Sequence, residues 1–353
     1  MTIFICIGLF FLIILKYSNL NIYKNKKAFC FIIFIFVFII CAIKSNKYGD
    51  IPGYLRHYDQ YSLYTYDKLW YMYTKGSLKD FCFYAIAKIF NNIGISKNVW
   101  VNLIAGFFTG SVTIRIYKDS KNPLLSLLVV VVFYLRFTMT ALRQSMAMAC
   151  VLFSISYIQN KNLFKFILIV LLGSLFHSSA IVFLPAYWIS KLKAGKKQLV
   201  IVASGLIISV FFPYVFRRAI SLLSWDERLS GYADSTKTLS WAGYVIQLAI
   251  FIFCYVFSYS IKNEDIKTKE QYNMYLNLLM VGVFFQGFAN SIAEVFRLSY
   301  FYSIISCIAL PNIIESNNLI SNRRFLRNSV FFIFLLYMIV GNLYGGIPFF
   351  WEV

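Results

Sequence analysis

The sequence predicts an all-α polytopic integral membrane protein with about twelve transmembrane helices, roughly ten to fourteen. Three observations predict it. Hydrophobic residues make up 60% of the 353 positions and charged residues 14%, against about 45–50% and about 25% in soluble domains. Apolar runs recur from end to end, and no soluble domain of ordinary size fits between them. Runs such as "FIIFIFVFIICAI" and "LLSLLVVVVFYL" lack the alternation that a membrane β-barrel imposes on its strands. Helices satisfy backbone polar groups segment by segment, as lipid requires.

The first span, Thr2–Leu15, has no basic leader and no small-residue cleavage site, so it reads as a retained helix. Span two is Ala28–Ile43. Residues 44–98 are the widest break, crowded with Tyr, and "SLKDFCFYAIAKIFNNIG" within them reads as an amphipathic helix lying on the membrane surface. Spans three to five are Val99–Tyr117, Pro123–Leu135 and Ala141–Ile158. Spans six and seven, Leu163–Phe176 and Ser179–Ile189, are short, and could instead be one tilted helix. Spans eight to twelve are Gln198–Phe216, Trp241–Ile261, Tyr272–Ala289, Val295–Ile314 and Ser329–Leu343. A second outer segment covers 217–240. The whole of 1–353 reads as a single membrane domain, with short re-entrant or broken helices at the outer face.

Loop charge chooses between the two readings of spans six and seven. With the N-terminus outside and twelve spans, more than half of the 34 Lys and Arg fall on the inner side. A single span over Leu163–Ile189 would put "KLKAGKK" outside. Two short spans therefore meet at His177. The net charge of +20 fits the positive-inside rule and anionic headgroups, and no nucleic-acid motif accompanies it. The seven cysteines include no C-x-x-C pair; six sit in apolar runs and read as small core residues.

This topology collects polar residues at the outer face. Asp50, Arg56, His57 and Asp59 lie there, and Arg136, Arg143 and Gln144 flank the turn between spans four and five. His177 is at the turn between six and seven. Arg217, Arg218 and Arg228 are in the second outer loop, and Glu294 and Arg297 open span eleven. Each admits a plainer role. Arg143 could snorkel to headgroups, His177 could be a satisfied core histidine, and Glu294 and Arg297 could be a private ion pair. Their number favours a site, because ionisable groups in a membrane mark sites by default. Several arginines suit a phosphate or pyrophosphate. One His or carboxylate suffices to take a proton from an attacking hydroxyl, and Tyr and Trp suit sugar faces. No D-x-D pair and no Gly-rich phosphate loop is present. A metal-free transfer from a lipid-linked donor fits, with no cofactor; a transporter fits the composition equally.

Four segments carry a resemblance to a known family. "YGDIPGYL" contains Asp50 and Tyr54. "ALRQSMAMA" contains Arg143 and Gln144. "LFHSSAIVFLP" contains His177, Ser179 and Pro185. "EVFRLSYFY" contains Glu294 and Arg297. In order and spacing the chain resembles the EpsG-like branch of the Wzy family, bacterial O-antigen, capsule and exopolysaccharide polymerases. A departure is Asp80 in "LKDFCFY", where the family pattern has a Glu-Pro-Gly-Phe-like stretch, so the resemblance assigns Asp80 no role.

The resemblance implies inverting glycosyl transfer at the extracytoplasmic face of the plasma membrane. Undecaprenyl-pyrophosphate carries the donor glycan, and a second lipid-linked oligosaccharide supplies the acceptor hydroxyl. Membrane lipids are partners, a chain-length regulator protein is left open, and nucleic acid is not expected. On this reading Arg143 and Arg297 bind the pyrophosphate, and His177 or Asp50 is the base. Gln144, Ser179 and Glu294 orient these groups, Tyr54 lines the site, and Arg56, Arg217, Arg218 and Arg228 gather anionic substrate. Rival readings are an O-antigen ligase using the same donor, a polysaccharide flippase or transporter, and a membrane O-acyltransferase.

Overall fold

The computed structural model describes residues 25–43, 46, 49–211, 241–258, 266–289, 295–317 and 320–343. Among them there is helix and no strand. The helices are α1 (Lys26–Ala42), α2 (Ile51–Ser62), α3 (Tyr66–Thr74), α4 (Phe81–Asn92), α5 (Lys97–Asp119), α6 (Pro123–Thr140), α7 (Leu142–Gln159) and α8 (Leu163–Phe176). They continue as α9 (Lys196–Phe211), α10 (Ala242–Ser258), α11 (Ile266–Phe288), α12 (Phe296–Ser303), α13 (Ser306–Glu315) and α14 (Ile320–Leu343). The chain forms two compact units, Met1–Ile181 with Arg324–Val353, and Val182–Arg323.

In the first unit α7 is the central helix. Its sequence, "LRQSMAMACVLFSISYIQ", is rich in small and flexible residues, and it is buried almost all round, as a helix surrounded by others must be. Gly173 lets α8 approach it: a Cβ there would stand 3.1 Å from Cys150 Cβ and 3.3 Å from the Ala147 carbonyl. Small residues at such crossings are how helices pack where lipid gives no hydrophobic drive. At the far end of α5, Arg115 donates to Ser156 Oγ (2.7 Å) and pairs with Asp119, tying α5 to α7.

In the second unit α11 is central. Asn277, fully buried, donates to the Leu192 carbonyl and accepts from Gln198 Nε2, each at 2.7 Å. Ser299 donates to Gln247 Oε1 (2.9 Å), joining α12 to α10. These contacts satisfy amides that would otherwise be costly inside an apolar bundle.

Spans two, three, five, six and nine appear as helices within a few residues of their expected ends, while the helices at spans ten and twelve begin earlier, at Ile266 and Ile320. Span one lies outside the described residues. Span four runs on to Thr140 through a π-helical stretch, Val131–Leu135. Span eleven is two helices, α12 and α13, bent by 41°. Span seven is a 3₁₀ turn, Ser178–Phe183, and a short helix, Ala186–Ile189. Among the described residues α5 and α6 are long and apolar enough to cross a membrane, and the bent α12–α13 pair makes a third. The observed count does not confirm about twelve: it is taken over the described residues alone, and several of their apolar helices are short. Helix α8, with 14 residues, rises about 21 Å, against about 30 Å of hydrocarbon.

Candidate functional site

The site begins at a break in the chain's helices. Helix α6 ends at Thr140 and α7 starts at Leu142, with Ala141 between them at φ −90°, ψ 66°. Ser145 Oγ lies 2.9 Å from the carbonyls of both Thr138 and Ala141, closing the break with hydrogen bonds it donates. Gly49, at φ +59°, lies against Thr140; a Cβ there would come within 2.9 Å of Thr140 Cγ2. The absence of a side chain thus lets the start of α2 pass close to the break. Pro52 sits in the first turn of α2, where a missing N–H loses nothing.

Arg143 falls in the first turn of α7, where the helix dipole disfavours a cation. Asp80 supplies the compensating charge: Arg143 Nη1 donates to Asp80 Oδ2 at 2.9 Å. Asp80 holds an unusual position. Its backbone is left-handed, φ 57° and ψ 60°, at the N-cap of α4, yet its side chain caps nothing. Asp tolerates this region better than most residues. The carboxylate is directed to other elements. Oδ1 accepts from the Ser178 N–H at 3.2 Å, and His177 Nδ1 stands 3.7 Å from Oδ2. The starts of α4 and α7 and the end of α8 therefore meet on one carboxylate, whose side chain is 5% exposed. Burial pushes the Asp80 carboxyl above its ordinary value; Arg143 chiefly, then the Ser178 N–H and Lys79, pull it back.

Aromatic rings close the cluster. The Arg143 guanidinium lies 5.8 Å from the Tyr54 ring centroid, within cation–π range. Tyr54, His57 and Tyr61 follow one another at i, i+3 and i+7 of α2, one face of a helix. His57 stacks on Tyr61 (5.0 Å), and its Nδ1 is 3.2 Å from the Tyr84 hydroxyl. Burial, then Arg56 and Arg143, lower the His57 pKa. Both histidines of the chain thus belong to the surroundings of Arg143.

Of the residues expected in a site, Arg143, His177 and Tyr54 come together. Gln144 is buried (1% exposed) beside them in sequence, and the Ser179 hydroxyl is buried without a hydrogen-bond partner. Asp50 is exposed at the start of α2 and makes no capping bond. Arg56 is exposed on the side of α2 away from Tyr54. Arg297 belongs to the second unit, its guanidinium 5.9 Å from the Phe296 ring. Glu294, Arg217, Arg218 and Arg228 lie outside the described residues. Asp80 and Tyr84 were not expected in the site, and His57 was expected at the outer face without an assigned role. Asp80 stands where the sequence departs from the family pattern, so the resemblance gave no signal for it. Among the described residues no cluster of His, Cys, Asp or Glu is arranged to hold a metal.

The model of the EpsG family matches residues 27–348 of the chain. No curated protein and no solved structure matches it.

Proposed function

Because the chain belongs to the EpsG family, Wzy-like polysaccharide polymerases, we propose that this integral membrane protein joins undecaprenyl-pyrophosphate-linked repeat units at the outer face of the plasma membrane. The observation that carries the reading is the Asp80 carboxylate, which engages Arg143, His177 and the Ser178 N–H together.

Arg143 is held from two sides: Asp80 accepts from Nη1, and Tyr54 hydrogen-bonds the same guanidinium. A guanidinium still has donors for a pyrophosphate oxygen. Arg143 binds the donor's pyrophosphate and stabilises the charge that grows as the glycosyl C–O bond breaks. His177 takes the proton from the acceptor hydroxyl, whose oxygen forms the new bond to the anomeric carbon. Undecaprenyl pyrophosphate departs with the bonding pair, and the configuration inverts. Asp80 stands 3.7 Å from Nδ1 of His177, and its negative charge stabilises the imidazolium that forms when the ring takes the proton. Asp50, exposed at the start of α2, is the alternative base.

The test is the surface-glycan ladder of a strain lacking the gene, complemented at matched membrane levels. Arg143→Ala and His177→Ala should each collapse the ladder to a single repeat unit. Arg143→Lys should recover little, because an ammonium lacks the planar fork. A normal ladder from Arg143→Ala would remove the arginine from the mechanism.

A further inference from the structure

Helices α2 and α4 each bring two groups to the surroundings of Arg143. On α2 they are Tyr54 and His57, at i and i+3. On α4 they are Asp80, at its N-cap, and Tyr84, one turn on. Tyr54 and Asp80 bond the guanidinium themselves. His57 and Tyr84 bond each other, with His57 Nδ1 3.2 Å from the Tyr84 hydroxyl.

Both rings are fixed by their neighbours. Tyr84 is buried and stands edge-on to Tyr61 (4.9 Å) and Phe83 (5.3 Å). His57 stacks on Tyr61 and meets the Tyr84 ring edge-on at 5.8 Å. What remains to be placed is one hydrogen. Either the Tyr84 hydroxyl donates to Nδ1, or Nδ1–H donates to the hydroxyl oxygen.

The charge of Arg143 decides between them. Arg143 and Tyr84 interact electrostatically, and a cation favours the lone pairs of a hydroxyl over its hydrogen. Burial keeps the Tyr84 hydroxyl protonated, so it has a hydrogen to donate. Arg56 and Arg143 disfavour charge on His57, which leaves Nδ1 able to accept. We propose that Tyr84 and His57 are positioning residues for Arg143: Tyr84 donates to His57 Nδ1 and so keeps its oxygen turned toward the guanidinium. With the oxygens of Asp80 and Tyr54, it sets the plane of the fork before an anion arrives. A planar fork binds two oxygens well in one orientation, so fixing that plane raises affinity. The proposal rests on the reading of Arg143 as the pyrophosphate ligand.

The test uses the full chain in nanodiscs of phosphatidylethanolamine and phosphatidylglycerol, with farnesyl pyrophosphate as a short-chain probe. Arg143→Ala sets the floor of binding. Tyr84→Phe removes one oxygen and should weaken the probe by about fivefold or more, with melting near wild type. Two changes at His57 separate the hydrogen bond from packing. His57→Phe keeps a ring on Tyr61 but has no acceptor, and should match Tyr84→Phe. His57→Asn loses the ring but places an amide oxygen near the position of Nδ1, and should recover most of the loss. The double variant Tyr84→Phe with His57→Phe should bind no worse than either alone, because both break one link. In nitrogen NMR spectra of His177→Gln, above the His57 midpoint, Nε2 should carry the proton and Nδ1 none. Wild-type binding by Tyr84→Phe overturns the proposal. So does rescue by Phe and not by Asn at position 57, or a proton on Nδ1. The two readings fail separately. Wild-type binding by Arg143→Ala removes the pyrophosphate site itself, while loss there with full binding by Tyr84→Phe removes the positioning alone.

Discussion

Asp80 concentrates the strain and the charge of the site in one residue. It occupies a left-handed backbone position, is buried, and has Arg143 as its ion-pair partner. Asp80→Asn tests charge with little change of shape, since Asn tolerates the same backbone region and its amide oxygen can still accept. The variant should insert and melt near wild type, yet lose at least tenfold in polymer formation. Asp80→Ala should also destabilise, by about 3 kcal/mol, because a largely buried guanidinium loses its partner. His57 gives the cleanest titration. The chain has two histidines, so His177→Gln leaves one imidazole signal in an NMR pH series. His57 should titrate below 6.5, because burial and two guanidiniums oppose its charged form. The sign for stability follows. A depressed folded pKa contributes stability that is present above the ordinary value and lost as pH falls through the folded one. Arg143→Gln should move the midpoint back up; a midpoint at or above 6.5 in the unaltered arginine background would place His57 outside the influence of Arg143. Arg143 and His177 were legible in the sequence because their motifs are local. The role of Asp80 was not, because it depends on three elements far apart in the chain.

At the scale of elements, the break between α6 and α7 is built by Ser145 and by Gly49 lying on Thr140. Two glycines four residues apart make opposite predictions. Gly49→Ala places a Cβ 2.9 Å from Thr140 Cγ2 at a positive φ, and should destabilise by about 1–2 kcal/mol or more. Gly53, inside α2, has nothing within 4 Å of the added carbon, so Gly53→Ala should be neutral or stabilising by up to about 1 kcal/mol. Melting of the purified protein in one detergent compares them directly, and equal shifts would dissolve the argument for a packed Gly49. The sequence predicted a turn over residues 136–140, between Leu135 and Ala141, whereas α6 runs on to Thr140 and the break is Ala141 itself. It did not show that α6 continues through Val131–Leu135 as a π-helix, since "VVFYL" reads as ordinary apolar helix. Nor did the apolar run over Val295–Ile314 reveal its 41° bend: hydropathy carries no signal for direction.

At the scale of the whole molecule, ion pairs mark two levels of the first unit. Arg143 and Asp80 meet at the start of α7, while Arg115 and Asp119 meet beside Ser156 near its end. From Arg143 to Ser156 the helix rises about 20 Å, and the residues between are mostly buried and apolar. Charged pairs at both levels with an apolar layer between them suit a membrane-embedded body whose polar groups face opposite aqueous sides. Helix α5, 23 residues long and about 35 Å by its rise, connects the two levels, and its far end is followed by Lys121. This leads to a topology test in a cysteine-free background. Lys75→Cys, on the Asp80 side of α5, should react with a membrane-impermeant maleimide in intact cells. Lys121→Cys should react only after permeabilisation. The reverse pattern would turn the Arg143 cluster toward the cytoplasm, leaving the proposed extracytoplasmic transfer without a site and the loop-charge argument inverted. The expected pattern would leave Arg143 on the side where loop charge alone had put it.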